Sequence, residues 1–335
     1  MAASDRLKRP IAAALIAWYR RGHRDLPWRR THDPYRIWIS EIMLQQTRAQ
    51  AVLPYYDRFL ARFPDVSVLA AAEEEEVLTL WSGLGYYSRA RNLWRAAREV
   101  RSAGRFPSAY DAIRALPGIG GYTAAAIASI AFGLPHAVVD GNVLRVVARM
   151  ENDSAHIGAA RTRERFRQVA ESWLDPHQAG AFNQALMELG ATVCLPRNPL
   201  CLLCPLAKLC RARQHGSAAR LPVRLRAIEP VYIEGTLLVV ERRGRVLLRQ
   251  TGSGASRMAG FWELPTPIEL PQASIGEAVG RFRHSITHHR YLFTVARAFG
   301  RVKANSALRW FAPPEIGCIP LSTTARKALQ IAEIL

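Results

Sequence analysis

Residues 116–145 read LPGIGGYTAAAIASIAFGLPHAVVDGNVLR. A glycine hairpin joins two helical stretches, and a single aspartate heads a third. Gly118, Gly120 and Gly121 let backbone N–H groups approach a ligand that side chains would otherwise hold off. The run Tyr122 to Phe132 that follows is rich in Ala and Ile and predicts a helix whose N-terminus favours an anion. Such a hairpin suits one phosphate of a nucleic-acid backbone without regard to sequence; its plain alternative is an ordinary helix–helix turn. Asp140 precedes Gly141-Asn142 at the start of the next helix, either as an N-cap alone or as a carboxylate of a reaction site.

The whole chain fits that reading. Its 335 residues are enough for two domains with sizeable cores. With 49% hydrophobic and 22% charged residues, the composition is that of a globular protein. The formal charge of +19 points to a polyanionic partner. The excess is +11 up to residue 220 and +8 beyond it, so both halves can face the same polyanion. Nearly all of it is arginine; the lysines are Lys8, Lys208, Lys303 and Lys327. No stretch offers the ~20 apolar residues of a membrane span. The segment around IAAALIAWY (11–19) runs into Arg20-Arg21 without a small-residue cleavage site, which predicts a first amphipathic helix, no membrane partner and a cytoplasmic, nucleoid-type setting.

Four of the five cysteines, Cys194, Cys201, Cys204 and Cys210, follow the spacing C-x6-C-x2-C-x5-C. Four thiolates in one short loop suit a tetrahedral zinc or a [4Fe–4S] cluster better than a disulfide framework, and spacing alone does not separate the two metals. Cys318 stands apart as a buried thiol.

Residues 1–220 predict a mainly helical domain, with amphipathic stretches near 7–21, 36–62, 67–81, 87–101, 108–116, 121–132, 141–150, 161–173 and 177–194. The hairpin motif falls at about 108–132 and the cysteine loop at 194–210. LPVRLRAIEP (221–230) reads as a linker. In 231–335, GTLLVVE and RVLLRQ flank Arg242–Gly244 as a β-hairpin, RYLFTVARAF and ALRWFAP predict further strands, and a helix closes the chain at 323–334. The second domain is therefore expected to be α+β.

Taken in order, RDLPWR (24–29), WISEIMLQQT (38–47), LWSGLGYYSRARNL (80–93), LPGIGGYTA (116–124), VVDGNV (138–143), FNQALMELGA (182–191) and the cysteine loop resemble the endonuclease III superfamily of base-excision glycosylases. Within it they resemble the adenine-excising branch. The resemblance implies a helix-hairpin-helix glycosylase domain, a [4Fe–4S] cluster on the four cysteines with zinc as the alternative, and a monomer acting on double-stranded DNA. The implied lesion is adenine mispaired with 8-oxoguanine or guanine, and other repair or replication proteins are possible partners. It also implies a Nudix-like C-terminal domain that reads the opposing base. GFWELP (260–265) fits that module, while the acidic nucleotide-hydrolase signature is missing, so binding without hydrolysis is expected.

The expected chemistry needs two carboxyl groups. Breaking an adenine–deoxyribose bond leaves positive character on the sugar and negative charge on the base. Glu41, among Ile37, Trp38, Ile39, Ile42, Met43 and Leu44, is the candidate desolvated acid. Asp140 is the candidate ionised partner. The resemblance places Tyr122 and Asn142 where relatives orient that aspartate and the sugar. It places Trp28, Arg29 and Glu188 at the adenine pocket, with Gln46 and Tyr86 as the residues inserted into the duplex. Tyr86 and Tyr87 read equally well as core aromatics. Arg197, beside Cys194, is a candidate phosphate contact. At the opposing base, Ile286-Thr287-His288 stands where many relatives carry Phe-Ser-His, keeping a hydroxyl in Thr287 and the imidazole of His288 but not the ring. Strand-nicking relatives carry a Schiff-base lysine where this chain has Tyr122, so no efficient lyase step is expected. The alternatives are a superfamily glycosylase for T:G mismatches or oxidised pyrimidines, and a non-catalytic, metal-stabilised DNA-binding protein.

Overall fold

The computed structural model describes residues 5–223, 229–252, 258–300, 302 and 307–335. Much of the linker expected at 221–230, and Lys303, lie outside the described residues. The helices run α1 (Asp5–Arg21), α2 (Pro34–Leu44), α3 (Ala49–Arg62), α4 (Val66–Ala71), α5 (Glu74–Trp81), α6 (Ser88–Ser102), α7 (Tyr110–Ala115), α8 (Gly121–Phe132), α9 (Gly141–Met150), α10 (Ala160–Trp173), α11 (Ala179–Thr192) and α12 (Arg211–Gln214). Strands β1 (Val231–Arg242), β2 (Arg245–Gln250), β3 (Trp262–Glu263), β4 (Ser274–Ile286), β5 (His289–Phe299) and β6 (Leu308–Phe311) follow, then helices α13 (Pro313–Ile316) and α14 (Thr323–Ile331). The chain forms two compact units, Met1–Tyr56 with Glu99–Arg226, and Asp57–Arg98 with Ala227–Leu335.

In the first unit, the apolar faces of α1, α9, α10 and α11 close one core around Leu15, Val143, Val147, Phe166, Phe182 and Leu186. Leu206 and the partly buried Cys194, Cys204 and Cys210 pack onto that core, which anchors the cysteine loop. Helix α8 is buried from Thr123 to Ile130. Its alanines allow close packing by α2, α7 and α11, as expected of a helix apolar on every side. It ends on Gly133 in the left-handed conformation (φ 68°).

The stretch expected as one helix over 36–62 is two. Gln46 takes φ 58° and interrupts it between Leu44 and Ala49, a break that the polar run Gln45-Gln46-Thr47-Arg48 permits because no apolar periodicity crosses it. The stretch 67–81 likewise divides at Ala72–Glu73, and Asp65 caps the first half by accepting from the N–H groups of Ser67 and Val68.

The second unit carries the expected α+β texture in a mixed sheet ordered β3-β2-β1-β5-β4, with β6 paired to β2. The β1–β2 hairpin turns at Arg243-Gly244, both at positive φ (51° and 70°), the type I′ geometry that matches strand twist. β1 runs parallel to β5, and β5 pairs antiparallel to β4. One sheet face packs Leu237, Val239, Val295 and Phe311 against α14 through Ala325, Ala328 and Leu329. Cys318, expected to be buried, is exposed in the turn after α13.

Candidate active site

The start of α9, the middle of α2 and the first turn of α8 converge on a cavity of about 710 Å³ in the first unit, lined by Glu41, Asp140, Tyr122, Asn142, Trp28 and Gln46 among others. Glu41 projects from α2, whose N-terminus is fixed by Pro34 and by the Asp33 side chain accepting from Tyr35 N–H. The neighbours Ile37, Trp38, Ile39 and Met43 are at most 1% exposed and Glu41 itself is 4% exposed, so this carboxyl is held where water cannot solvate its charge. Burial pushes it up to about 7, and the Asp140 charge adds to the rise. The Tyr122 hydroxyl, which donates to Glu41 Oε2 at 2.8 Å, and Arg29 pull the other way.

Asp140 is both a helix cap and a cavity wall. Its Oδ1 accepts from Val143 N–H at 2.7 Å and its Oδ2 from the Asn142 amide at 2.8 Å. Burial raises this carboxyl too, opposed by those two donors and by Arg145. The donor sets separate the two acids. Asp140 receives two N–H groups and faces a guanidinium, which stabilise charge, whereas Glu41 receives one hydroxyl. Tyr122, placed by the resemblance near the aspartate, spends its hydroxyl on Glu41 and on Met187 Sδ at 3.5 Å. Burial, then the two acids, hold that phenol well above its usual range, so it stays a neutral donor.

Glu188 is absent from the cavity lining; it stands behind the wall, 2% exposed, as the counter-ion of Arg24 and Arg29, which both line it. Arg24 grips both carboxylate oxygens and Arg29 Nη2 reaches Oε2 at 2.6 Å. Burial works to raise Glu188, but these guanidinium bonds outweigh it and bring it down to about 2. Sequence reasoning missed Arg24; the available signal was its place at the head of the same RDLPWR segment. Trp28 is buried and meets Tyr56 edge-on at 5.3 Å.

Helix α9 is set against α11 by a missing side chain. A Cβ built on Gly190 would lie 2.7 Å from Asn142 Cβ and 3.2 Å from the Asn142 carbonyl. From the same helix, Arg145 donates to Asn142 Oδ1, Gly190 O and Cys194 O, all within 2.8 Å. One turn on, the buried Arg149 donates to Cys194 Sγ at 3.2 Å and to Leu195 O at 2.7 Å.

The four thiols of Cys194, Cys201, Cys204 and Cys210 line one small cavity of about 30 Å³ together with Arg149 and Arg213. Burial drives the Cys204 thiol up to about 11. Among the described residues no group of three or more His, Cys, Asp or Glu side chains forms a site for a metal ion.

In the hairpin, Gly118 takes φ 75° and Gly120 caps α8 without a side-chain bond, which leaves the first N–H groups of α8 uncovered by side chains. Gly121 sits 3.3 Å, measured from an added Cβ, from the Tyr110 hydroxyl. Arg197 is exposed.

The remaining candidates belong to the second unit. Tyr86 is 45% exposed at φ 49°, with the Arg89 guanidinium 5.5 Å from its ring, whereas Tyr87 is a core aromatic against Phe261. Thr287 and His288 form the two-residue turn between β4 and β5. Thr287 takes φ 53°, a strained setting for a β-branched residue, and bonds its hydroxyl to Ile286 O.

Comparison with known proteins gives the class. Residues 39–172 match the model of the HhH-GPD superfamily base excision DNA repair proteins. A solved thermostable thymine-DNA glycosylase is 31% identical, with TM-score 0.55, over 63% of this chain and 97% of that one. The chain belongs to this superfamily. Among curated proteins it is similar to the adenine DNA glycosylase of Homo sapiens, 46% identical over an alignment of 219 positions that covers 62% of this chain and 40% of the human protein. It is also similar to that of Arabidopsis thaliana, 36% identical over an alignment of 307 positions that covers 79% of this chain and 48% of the plant protein. The chain thus spans less than half the length of these relatives.

Proposed function

We propose that the chain is a monofunctional DNA glycosylase that excises adenine mispaired with 8-oxoguanine or guanine from duplex DNA. One observation carries this reading. A desolvated carboxyl that titrates near neutrality, Glu41, shares a cavity with a second carboxylate, Asp140, which is held by two N–H donors.

The flipped nucleoside enters this cavity at a cost of a few kcal/mol of unstacking. Trp28 offers an aromatic face to the base. Glu41 gives its proton to adenine N7 as the N9–C1′ bond breaks, so the bonding pair leaves with a neutral base. Asp140 faces the electron-poor sugar carbon and stabilises or traps it until water adds there and loses a proton. Tyr122 orients Glu41, and Asn142 orients Asp140. Tyr122 stands where strand-nicking relatives carry a Schiff-base lysine, which supports base removal that leaves the backbone intact. Gln46 and Tyr86, both at positive φ, are read as the residues that fill the gap in the duplex, the Gly118–Gly121 hairpin and Arg197 as phosphate contacts, and Thr287 and His288 as readers of the opposing base.

The four cysteines are read as ligands of a [4Fe–4S] cluster. All four line one cavity, and Arg149 donates to Cys194 Sγ, a cationic donor that favours the thiolate form a metal ligand takes; zinc is the alternative occupant. The group would be held by a loop whose Cys194 and Leu195 carbonyls Arg145 and Arg149 fix. We place the protein in the cytoplasm with the chromosome, acting as a monomer.

The test is single-turnover cleavage of duplexes pairing A with 8-oxoguanine, G or C, alongside T:G and an oxidised pyrimidine, with alkali revealing base loss. Excision of A opposite 8-oxoguanine and G is expected. Asp140→Asn should slow it by about 10³-fold with duplex affinity retained. Preferential release of thymine from T:G, or near-normal turnover of Asp140→Asn, overturns the reading.

A further inference from the structure

The sheet of the second unit has one face that changes character along its length. On β1 and β5 the residues Leu238, Val240, Ala296 and Ala298 lie on this face and are buried with Leu270 and Leu308. Nearer the β4–β5 turn, Thr236, Leu292 and Thr294 on the same face are half-buried, and six residues on from Leu238 and Ala296 it is uncovered. Tyr232 is 78% exposed, and Arg290 beside it, Arg283 and Arg281 on β4 are exposed as well. The register places Tyr232 level with Arg290, Arg290 level with Ser285, and Arg283 and Arg281 level with Leu292 and Thr294. Among the described residues, no carboxylate lies in ion-pair range of any of these three arginines. Arg290 donates to the carbonyls of Thr287 and His289, and Glu234 is the one acidic residue on this part of the face.

Like charges gathered on neighbouring strands repel, and nothing in the fold requires them there. A row of arginines two residues apart advances about 7 Å along a strand. One strand of duplex DNA presents a phosphate every ~3.4 Å of helix axis, so successive arginines match alternate rises of that array. We propose that this face, Arg281, Arg283 and Arg290 with Tyr232, is a binding surface for the phosphate backbone of duplex DNA, separate from the Thr287–His288 turn that reads a base. It positions the module and carries no sequence or lesion information. This rests on the reading above that duplex DNA is the substrate.

The test is fluorescence anisotropy of the full chain against three duplexes, A:8-oxoguanine, A:G and undamaged, over a range of salt. Removing two phosphate contacts in Arg281→Gln/Arg283→Gln should make the slope of log affinity against log salt shallower by about 2. That amounts to about 60-fold weaker binding at 0.1 M salt if affinity at 1 M is unchanged. All three duplexes should lose equally. Arg281→Lys/Arg283→Lys keeps the charge and should keep the parent slope, which separates a phosphate contact from damage to the sheet. An unchanged slope in the Gln variant, as expected if the face serves a protein partner or none, overturns the proposal. A loss confined to the 8-oxoguanine duplex also overturns it. Binding to undamaged duplex is independent of excision, so the slope can fall as expected even if adenine is not the excised base.

Discussion

Replacing Glu41 by Gln should abolish excision and, at the same time, stabilise the protein above acidic pH. An unfolded chain carries this carboxyl near 4.5, whereas the folded site holds it at about 7. A carboxyl with a raised folded value binds its proton more tightly in the native state, so folding is unpenalised below the unfolded value. As pH rises through the folded value, ionisation of the buried group progressively costs stability. At 1.36 kcal/mol per pH unit, the penalty is a few tenths of a kcal/mol at pH 4 and about 3 kcal/mol at pH 7–8. Glutamine keeps the volume and an oxygen that accepts from Tyr122, but it has no charge to desolvate. The stability gained by Glu41→Gln should therefore grow by about 3 kcal/mol between pH 4 and pH 8. The assay is chemical denaturation of parent and variant across that range, followed by tryptophan fluorescence, with excision measured on the same samples. A gain that is flat with pH, or a variant less stable at pH 8 than the parent, would refute the claim that burial sets the proton affinity of this acid.

Glu188 runs with the opposite sign. Its folded value, about 2, lies below the unfolded one, so the ion pairs with Arg24 and Arg29 contribute above about pH 4.5 and fade as pH falls toward 2. Glu188→Gln should cost about 2–3 kcal/mol at pH 7 and little at pH 2.5, read as denaturation midpoints at the two pH values. Tyr122→Phe removes a donor that favours the Glu41 carboxylate, so the alkaline limb of the excision–pH profile should move upward by about one unit. A limb that stays in place would mean the hydroxyl does not set that group.

The carboxyl pair was legible because both acids sit in settings that residue types reveal. Glu41 is enclosed by an apolar helix, and Asp140 precedes Gly-Asn at a helix start. The cap geometry leaves room for the second reading, a site carboxylate, since its Oδ1 and Oδ2 take the Val143 and Asn142 donors at the wall of the cavity. Less was readable where geometry depends on partners distant in the chain. Nothing local distinguishes a Glu188 that lines a cavity from one that stands behind two arginines 159 and 164 residues away. The hydroxyl of Tyr122 found Glu41 by the packing of α2 on α8, which no spacing encodes. The break at Gln46 escaped helical periodicity because polar residues are neutral to it. Strand β4 was missed altogether: glycines, arginines and two register shifts blur its alternation, and it is recognisable as a strand only through pairing with β5.

Gly190 lies outside the cavity, yet the spacing of α9 and α11 leaves no room there for even a methyl group beside Asn142. Missense changes at this codon would thus behave like lesions of the reaction centre, displacing the aspartate they never touch. A variant classifier that scores only residues in contact with substrate would file them as benign.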